Sequence, residues 1–274
     1  LVFTPLGITA KGAARWVALG PIAFQPSELL KLTFVLYLAA WLAASNERRN
    51  RFWVGFVPFL IAISVIAVLL LRQPATSTVA ILVATALIVY FASGARISYI
   101  VGTIALAAVA LAVVTYATPY RMERVVSFFR PDPSAGGFHL NQALIAIGSG
   151  KLTGVGYGQS TAKLSFLPEP IGDSIFAVTA EEFGFIGATM LIAVFAIFVM
   201  RLFILARTCR DPFGSLILVG FGSVIALQTI TNIAAISGLI PLTGTPLPFI
   251  SYGGTALATF MTMSGIAVNI SKYA

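Results

Sequence analysis

The chain has 274 residues, 58% of them hydrophobic and 9% charged, with a mean hydropathy of +0.97. Soluble domains carry about 25% charged residues, so this composition excludes a soluble globular domain and indicates an integral membrane protein; the alternating strand pattern of a barrel is missing. The net charge of +8 fits anionic lipid or a phosphorylated substrate, no aromatic-basic module points to nucleic acid, and the single cysteine, Cys209, rules out an internal disulfide.

The chain opens on Leu1 without a visible signal peptide. The reading is of one integral membrane domain over 1–274 that lacks an N-terminal piece. A bilayer core of about 30 Å needs about 20 apolar helical residues. Seven stretches qualify: 27–44, 52–71, 76–93, 98–117, 174–203, 212–236 and 254–271. The expected fold class is therefore all-α, a polytopic transmembrane bundle with helices only and no sheet. The short loops set the orientation. Arg48, Arg49 and Arg51 follow the first span, and Arg201, Arg207 and Arg210 follow the fifth. Both groups fall on one side, taken as cytoplasmic, which places the long loop of residues 118–173 outside the cell. Total Lys and Arg are nearly equal on the two faces, so the bias is weak.

Four polar constellations interrupt the apolar background. The first is Gly12-Ala13-Ala14-Arg15-Trp16, then Gln25-Pro26-Ser27-Glu28 and Lys31. Pro26 and Ser27 suit a helix start. Glu28 and Lys31 are three apart on one helical face, so they can pair within the membrane. Such a pair can brace the packing or line a cavity, and the sequence does not choose.

The second is the long loop. Nine of the 26 charged residues lie in its 56 residues, together with the only histidine, His139. Arg121 and Arg124 have the planar fork that binds phosphate, and they would equally anchor to lipid headgroups. Residues 136–147 have the spacing of a short helix on or in the membrane surface. His139 reads as an interfacial polar residue before it reads as a base. Gly148-Ser149-Gly150-Lys151 opens a glycine-rich run through Gly154, Gly156 and Gly158. It fails the P-loop pattern, since Leu152 follows Lys151. A flexible loop is the favoured reading, a phosphate cradle of backbone amides the other.

The third is Leu167-Pro168-Glu169-Pro170-Ile171-Gly172-Asp173, followed at once by a span. Read alone, Asp173 is a helix cap as readily as a functional carboxylate. The same span carries Glu181 and Glu182, for which Lys31 is the expected partner. The fourth is Gly244-Thr245-Pro246-Leu247-Pro248-Phe249-Ile250-Ser251-Tyr252-Gly253-Gly254. Prolines and glycines this dense cannot continue a helix, so a re-entrant loop lining a cavity is expected. Gln228 and Asn232 are four apart and could cross-link helices.

Taken in order, these stretches resemble the SEDS family of bacterial membrane proteins, which includes FtsW, RodA and SpoVE. The family's GARRW–QPSExxK pattern is matched by Gly12–Trp16 and Gln25–Lys31. Its AIGSG…LPE..TDFIFA..EE.G pattern is matched from Ala146 through Gly184. Its GxPLPFISYGG pattern is matched by Gly244–Gly254. Pro119-Tyr120-Arg121 and Leu167-Pro168-Glu169 lean towards the FtsW branch. The resemblance implies ten transmembrane helices, with the seven spans here as helices four to ten, and a large extracytoplasmic loop.

It further implies a peptidoglycan glycosyltransferase in the bacterial inner membrane that polymerises lipid II into glycan strands, with Asp173 as the catalytic carboxylate. Arg15, Arg121, Arg124, Lys151 and Lys163 are candidates to hold the departing pyrophosphate. Glu28, Lys31, Glu169 and Ser251 complete the candidate substrate-binding set. A divalent cation, Mg or Mn, is left open, with no ligand set readable. The implied partners are lipid II, membrane lipid, a class B penicillin-binding protein transpeptidase and division proteins, with no nucleic acid. Two other readings stand beside this one: a lipid II flippase using Glu28, Lys31, Glu181 and Glu182, and a non-catalytic scaffold that activates a transpeptidase. Four positions depart from the pattern. Gly172 replaces Thr, Ser174 replaces Phe, Ala75 stands where many members have Asp, and Ala14 replaces an Arg.

Overall fold

The computed structural model describes residues 7–10, 13–19, 22–45, 50–73, 75–129, 137–165 and 167–273. Gly12, Arg48, Arg49, Arg130, Asp132 and Ala274 lie outside them, as does Lys11. The elements are β1 (Gly7–Ala10), β2 (Ala13–Leu19), β3 (Ile22–Phe24), α1 (Pro26–Ala43), α2 (Val57–Leu71), α3 (Thr76–Ala92), α4 (Ile97–Tyr116), α5 (Pro119–Phe129), α6 (Gly137–Ser149), α7 (Ala162–Ser165), α8 (Ile175–Thr208), α9 (Pro212–Ile236) and α10 (Gly254–Ser271). The fold is helical, as expected. Among the described residues, five helical stretches are long and apolar enough to cross a membrane: Pro26–Ala43, Phe52–Leu71, Ile97–Tyr116, Ile175–Thr208 and Pro212–Ile236. Thr76–Ala92 is apolar but shorter, with 17 residues.

One expectation is corrected here. The reading of helices only meets a small antiparallel sheet in the order β1-β2-β3, with Ile8 opposite Trp16 and Val17 opposite Phe24. Two residues separate each strand from the next, the spacing of hairpins, and the strands carry β-branched and aromatic residues. That signal was subordinate to the hydropathy of the neighbouring span.

The described residues form two compact units. The first comprises residues 1–107, 199–227 and 254–274. In it α1 packs on α3 and α10, α2 packs on α3, and β2 lies against α1. Phe34, Val35, Leu38 and Leu42 bury the inner face of α1, and Phe59 stacks on Tyr90 at 4.2 Å. Five residues of π-helix, Phe52–Phe56, lead into α2. Pro58 has no N–H and its ring crowds the carbonyl four residues back, so a wider turn before it relieves the clash.

The second unit comprises residues 108–198 and 228–253. Its core is Ala143 and Ala146 of α6, Ala162 of α7, Leu167 in the segment before α8, Phe176, Ala177, Val178, Ala180 and Ala188 of α8, and Ile236 of α9. So many alanines let backbones approach closely, as membrane helices do. Within α8 the helix breaks at Gly184, which has φ 66 and ψ −166. The glycine-rich run fills that break. Val155 and Gly156 donate to the carbonyls of Glu181 and Glu182, both at 3.0 Å, and Phe185 and Ile186 donate to the carbonyls of Lys151 and Leu152 at 2.9 and 3.1 Å. A broken membrane helix must have its freed backbone groups satisfied by protein. The run is therefore not a loose loop, and its Val155 and Gly156 amides are committed to α8. An added Cβ would lie 1.9 Å from the Ala180 carbonyl oxygen at Gly150, and 2.1 Å from that of Glu182 at Gly154. Only glycine fits at those approaches.

Candidate active site

The third constellation folds into a tight turn ahead of α8. Glu169 adopts φ 49, and its carbonyl accepts the N–H groups of Gly172 at 3.0 Å and Ser174 at 3.3 Å. Ser174, not Asp173, takes the cap position: its carbonyl receives the N–H groups of Ala177 and Val178. Asp173 is thereby held one residue outside the helix, half-buried.

Three successive carbonyls of this turn are each pinned from the 228–253 segment. Tyr252 N–H donates to Ile171 at 2.8 Å. Ser251 Oγ donates to Gly172 at 2.6 Å and accepts from Leu247 N–H at 2.7 Å. Asn232 Nδ2 donates to Asp173 at 2.8 Å and to Thr245 at 2.7 Å. Gln228 donates to the Pro246 carbonyl at 2.9 Å. Gln228 and Asn232 were expected to cross-link helices. They bind irregular backbone instead, because the proline-rich segment leaves carbonyls that no helix satisfies. Both amide hydrogens of Asn232 point at carbonyls, which fixes its orientation. Its Oδ1 is buried with no hydrogen-bond partner among the described residues. Gly244 has φ 64, and an added Cβ there would lie 3.6 Å from Asp173 Oδ2. Gly244 thus stands beside the carboxylate.

His139 of α6 completes the cluster, with Nε2 2.7 Å from Ser174 Oγ. Burial pushes its imidazole below the usual histidine range; Asp173 pulls it up by a smaller amount, and Arg124 lowers it further. Arg124 is exposed and donates through Nη1 to the Leu242 carbonyl at 3.1 Å. Arg121 donates to Thr118 Oγ1 at 2.9 Å.

The other candidates fall elsewhere. Lys163 pairs with Glu182 at 2.5 Å. Glu181 accepts from Ser160 Oγ and from the Thr161 N–H and hydroxyl. The expected pairing of these glutamates with Lys31 is thus replaced by one with the segment that fills the break in α8. Lys31 pairs with Glu28 at 2.7 Å, both buried, and sits 5.2 Å from the Phe260 ring centroid. Lys151 and Glu169 are exposed, and Arg15 lies on β2. Arg15, Glu28 and Lys31 belong to the first unit; Arg121, Arg124, Lys151, Lys163, Glu169, Asp173 and Ser251 belong to the second. No cluster of three or more His, Cys, Asp or Glu side chains suited to a metal occurs among the described residues. Asn232 and Ser174 carried no local signal of their place in the site, and His139 read as an interfacial residue.

The pattern of the cell cycle protein family that comprises FtsW, RodA and SpoVE matches residues 1–274. The chain belongs to this family. It is 38% identical over 278 residues to stage V sporulation protein E of Bacillus subtilis, covering 100% of this chain and 75% of that protein. It is 35% identical over 274 residues to a probable peptidoglycan glycosyltransferase FtsW of Geobacter sp. strain M18, covering 99% and 75%. Among solved structures, a chain from work on structural coordination of polymerization and crosslinking by a peptidoglycan synthase complex superposes with a TM-score of 0.81 at 29% identity, over 98% of this chain and 76% of that one. The rod shape determining protein RodA of Thermus thermophilus gives 0.69 at 27% identity, over 98% and 72%.

Proposed function

We propose that this chain is a peptidoglycan glycosyltransferase that polymerises lipid II, with Asp173 as the catalytic carboxylate. The observation that carries this reading is the pinning of three successive carbonyls, Ile171, Gly172 and Asp173, in the turn that presents the carboxylate. A capping aspartate needs no such scaffold, and Ser174 already fills the cap position. Preorganisation of a reacting group is what catalysis requires.

In the reaction a sugar hydroxyl of one lipid-linked saccharide attacks the anomeric carbon of another. The new glycosidic C–O bond forms as the bond to pyrophosphate breaks. Asp173 accepts the hydroxyl proton, and the polyprenyl pyrophosphate leaves as an anion. Arg121 and Arg124 bind Thr118 Oγ1 and the Leu242 carbonyl, and their permanent guanidinium charge would stabilise that anion. The loop 118–173 would face the outside of a bacterial inner membrane, where lipid-linked substrate is used. A class B penicillin-binding protein would cross-link the strands, a pairing supported by the synthase complex to which one structural relative belongs. The division septum is the proposed place of action.

The test is a reconstituted assay on lipid II with purified protein. Asp173→Asn keeps size and removes charge. It should fold and bind lipid II nearly normally while polymerisation drops on the order of a hundredfold or more. A fully active Asp173→Asn protein would remove Asp173 from the chemistry.

A further inference from the structure

The chain's only histidine stands beside the proposed catalytic carboxylate, and its hydrogen bond fixes which ring nitrogen carries the proton. Ser174 Oγ has one hydrogen, and it is donated to the Pro168 carbonyl at 2.9 Å. The same oxygen lies 2.7 Å from His139 Nε2 and must accept there, so Nε2 bears the hydrogen. In neutral His139 the proton-accepting nitrogen is then Nδ1. Protonation at Nδ1 leaves the Nε2–H···Oγ bond intact. The ring can therefore gain a charge without releasing the turn that carries Asp173.

We infer that His139 is a positioning residue that sets the working pH of the Asp173 site: neutral, it holds Ser174 and leaves the carboxylate a competent base, whereas protonated, it keeps the geometry and weakens that base. The inference rests on the assignment of Asp173 as proton acceptor. The charged groups that act on the ring are Asp173 in the turn before α8 and Arg124 on α5. Glu169, on the same turn as Asp173, is exposed. Gly238, two residues past α9, stands near Leu140 and Leu144 of α6, where neither side carries charge. An imidazolium next to a carboxylate favours its ionised form and lowers its appetite for a proton. Burial keeps the ring neutral down to more acid pH than an exposed histidine, so the site stays in its active form at neutral pH.

The tests separate this inference from the one beneath it. With one histidine in the chain, ¹⁵N-histidine labelling of the whole protein in nanodiscs gives one pair of ring signals. They should show the Nε2–H tautomer at neutral pH. The ring should titrate at lower pH in Asp173→Asn, which removes the attracting carboxylate, and at higher pH in Arg124→Gln. An Nδ1–H tautomer, or a titration unmoved by Asp173→Asn, overturns the inference whatever the activity.

The second test is the pH profile of lipid II polymerisation, each protein normalised to its own plateau. His139→Gln retains an amide donor for Ser174 and cannot be protonated. Its acid limb should shift to lower pH by about one unit or more, the scale of a neighbouring-charge effect. An acid limb that coincides with the parent's overturns the inference, while loss of activity in Asp173→Asn would still stand. A fully active Asp173→Asn protein would instead remove the assignment on which both rest.

Discussion

At the scale of single residues, Glu28 and Lys31 show a buried charge satisfied by a near neighbour on the same helix. Glu28 and Lys31 form an ion pair with 5% and 2% of their side chains accessible. The i,i+3 spacing brings them together without distorting α1. Breaking a buried pair leaves a charge without compensation, which costs about 3–5 kcal/mol, whereas replacing both partners by apolar groups costs far less. We expect Glu28→Gln to lower the unfolding temperature of the purified protein more than the double change Glu28→Leu with Lys31→Met. Equal losses would mean that the pair contributes only volume. Asn232 acts differently: one amide ties the Asp173 carbonyl to the Thr245 carbonyl, joining stretches 59 and 13 residues away.

Among the elements, α8 is the instructive one. It is an apolar helix of 34 residues that is interrupted at Gly184, and the glycine-rich run supplies four hydrogen bonds across the interruption. The break also sets Glu181 and Glu182 against Ser160, Thr161 and Lys163. Three glycines make the graft sterically feasible. An added Cβ at Gly184 would lie 2.3 Å from the Gly154 nitrogen, and its φ of 66 disfavours any other residue. Gly184→Ala should destabilise by at least about 2 kcal/mol, through strain and displacement of the run. Gly102→Ala on α4 is the control, because an added Cβ there meets nothing within 4 Å. It should be neutral or slightly stabilising. Thermal unfolding in detergent compares the two, and an unaffected Gly184→Ala protein would refute the graft.

For the whole molecule, the proposal sets sidedness. Residues 118–173 lie outside the cell if Arg201, Arg207 and Arg210 lie within it. Tyr157 is 82% exposed and serves as a reporter. In a Cys209→Ser background, Tyr157→Cys should react with a membrane-impermeant maleimide applied to intact spheroplasts, and Arg207→Cys should react only after permeabilisation. Labelling of both from outside, or of Arg207→Cys alone, would invert or abolish the proposed orientation.

Hydropathy and punctuation by proline and glycine located the long apolar helices by themselves, though not α5 or the break in α8. The stretch read as 212–236 is Pro212–Ile236, and that read as 254–271 is Gly254–Ser271. Such signals are local: a helix needs only neighbours three and four residues away to declare its face and its ends. The position of Asp173 was legible for a related reason, since ordered short motifs mark it without reference to folding. Tertiary structure alone decided the rest. It committed the glycine run to α8, assigned Glu181 and Glu182 their partners, and drew Ser251 to Gly172 across 79 residues and His139 to Ser174 across 35. A buried polar group takes whichever complementary group the fold brings within reach. In a chain that is mostly apolar, that choice depends on which backbones approach closely enough, and local periodicity carries no record of it.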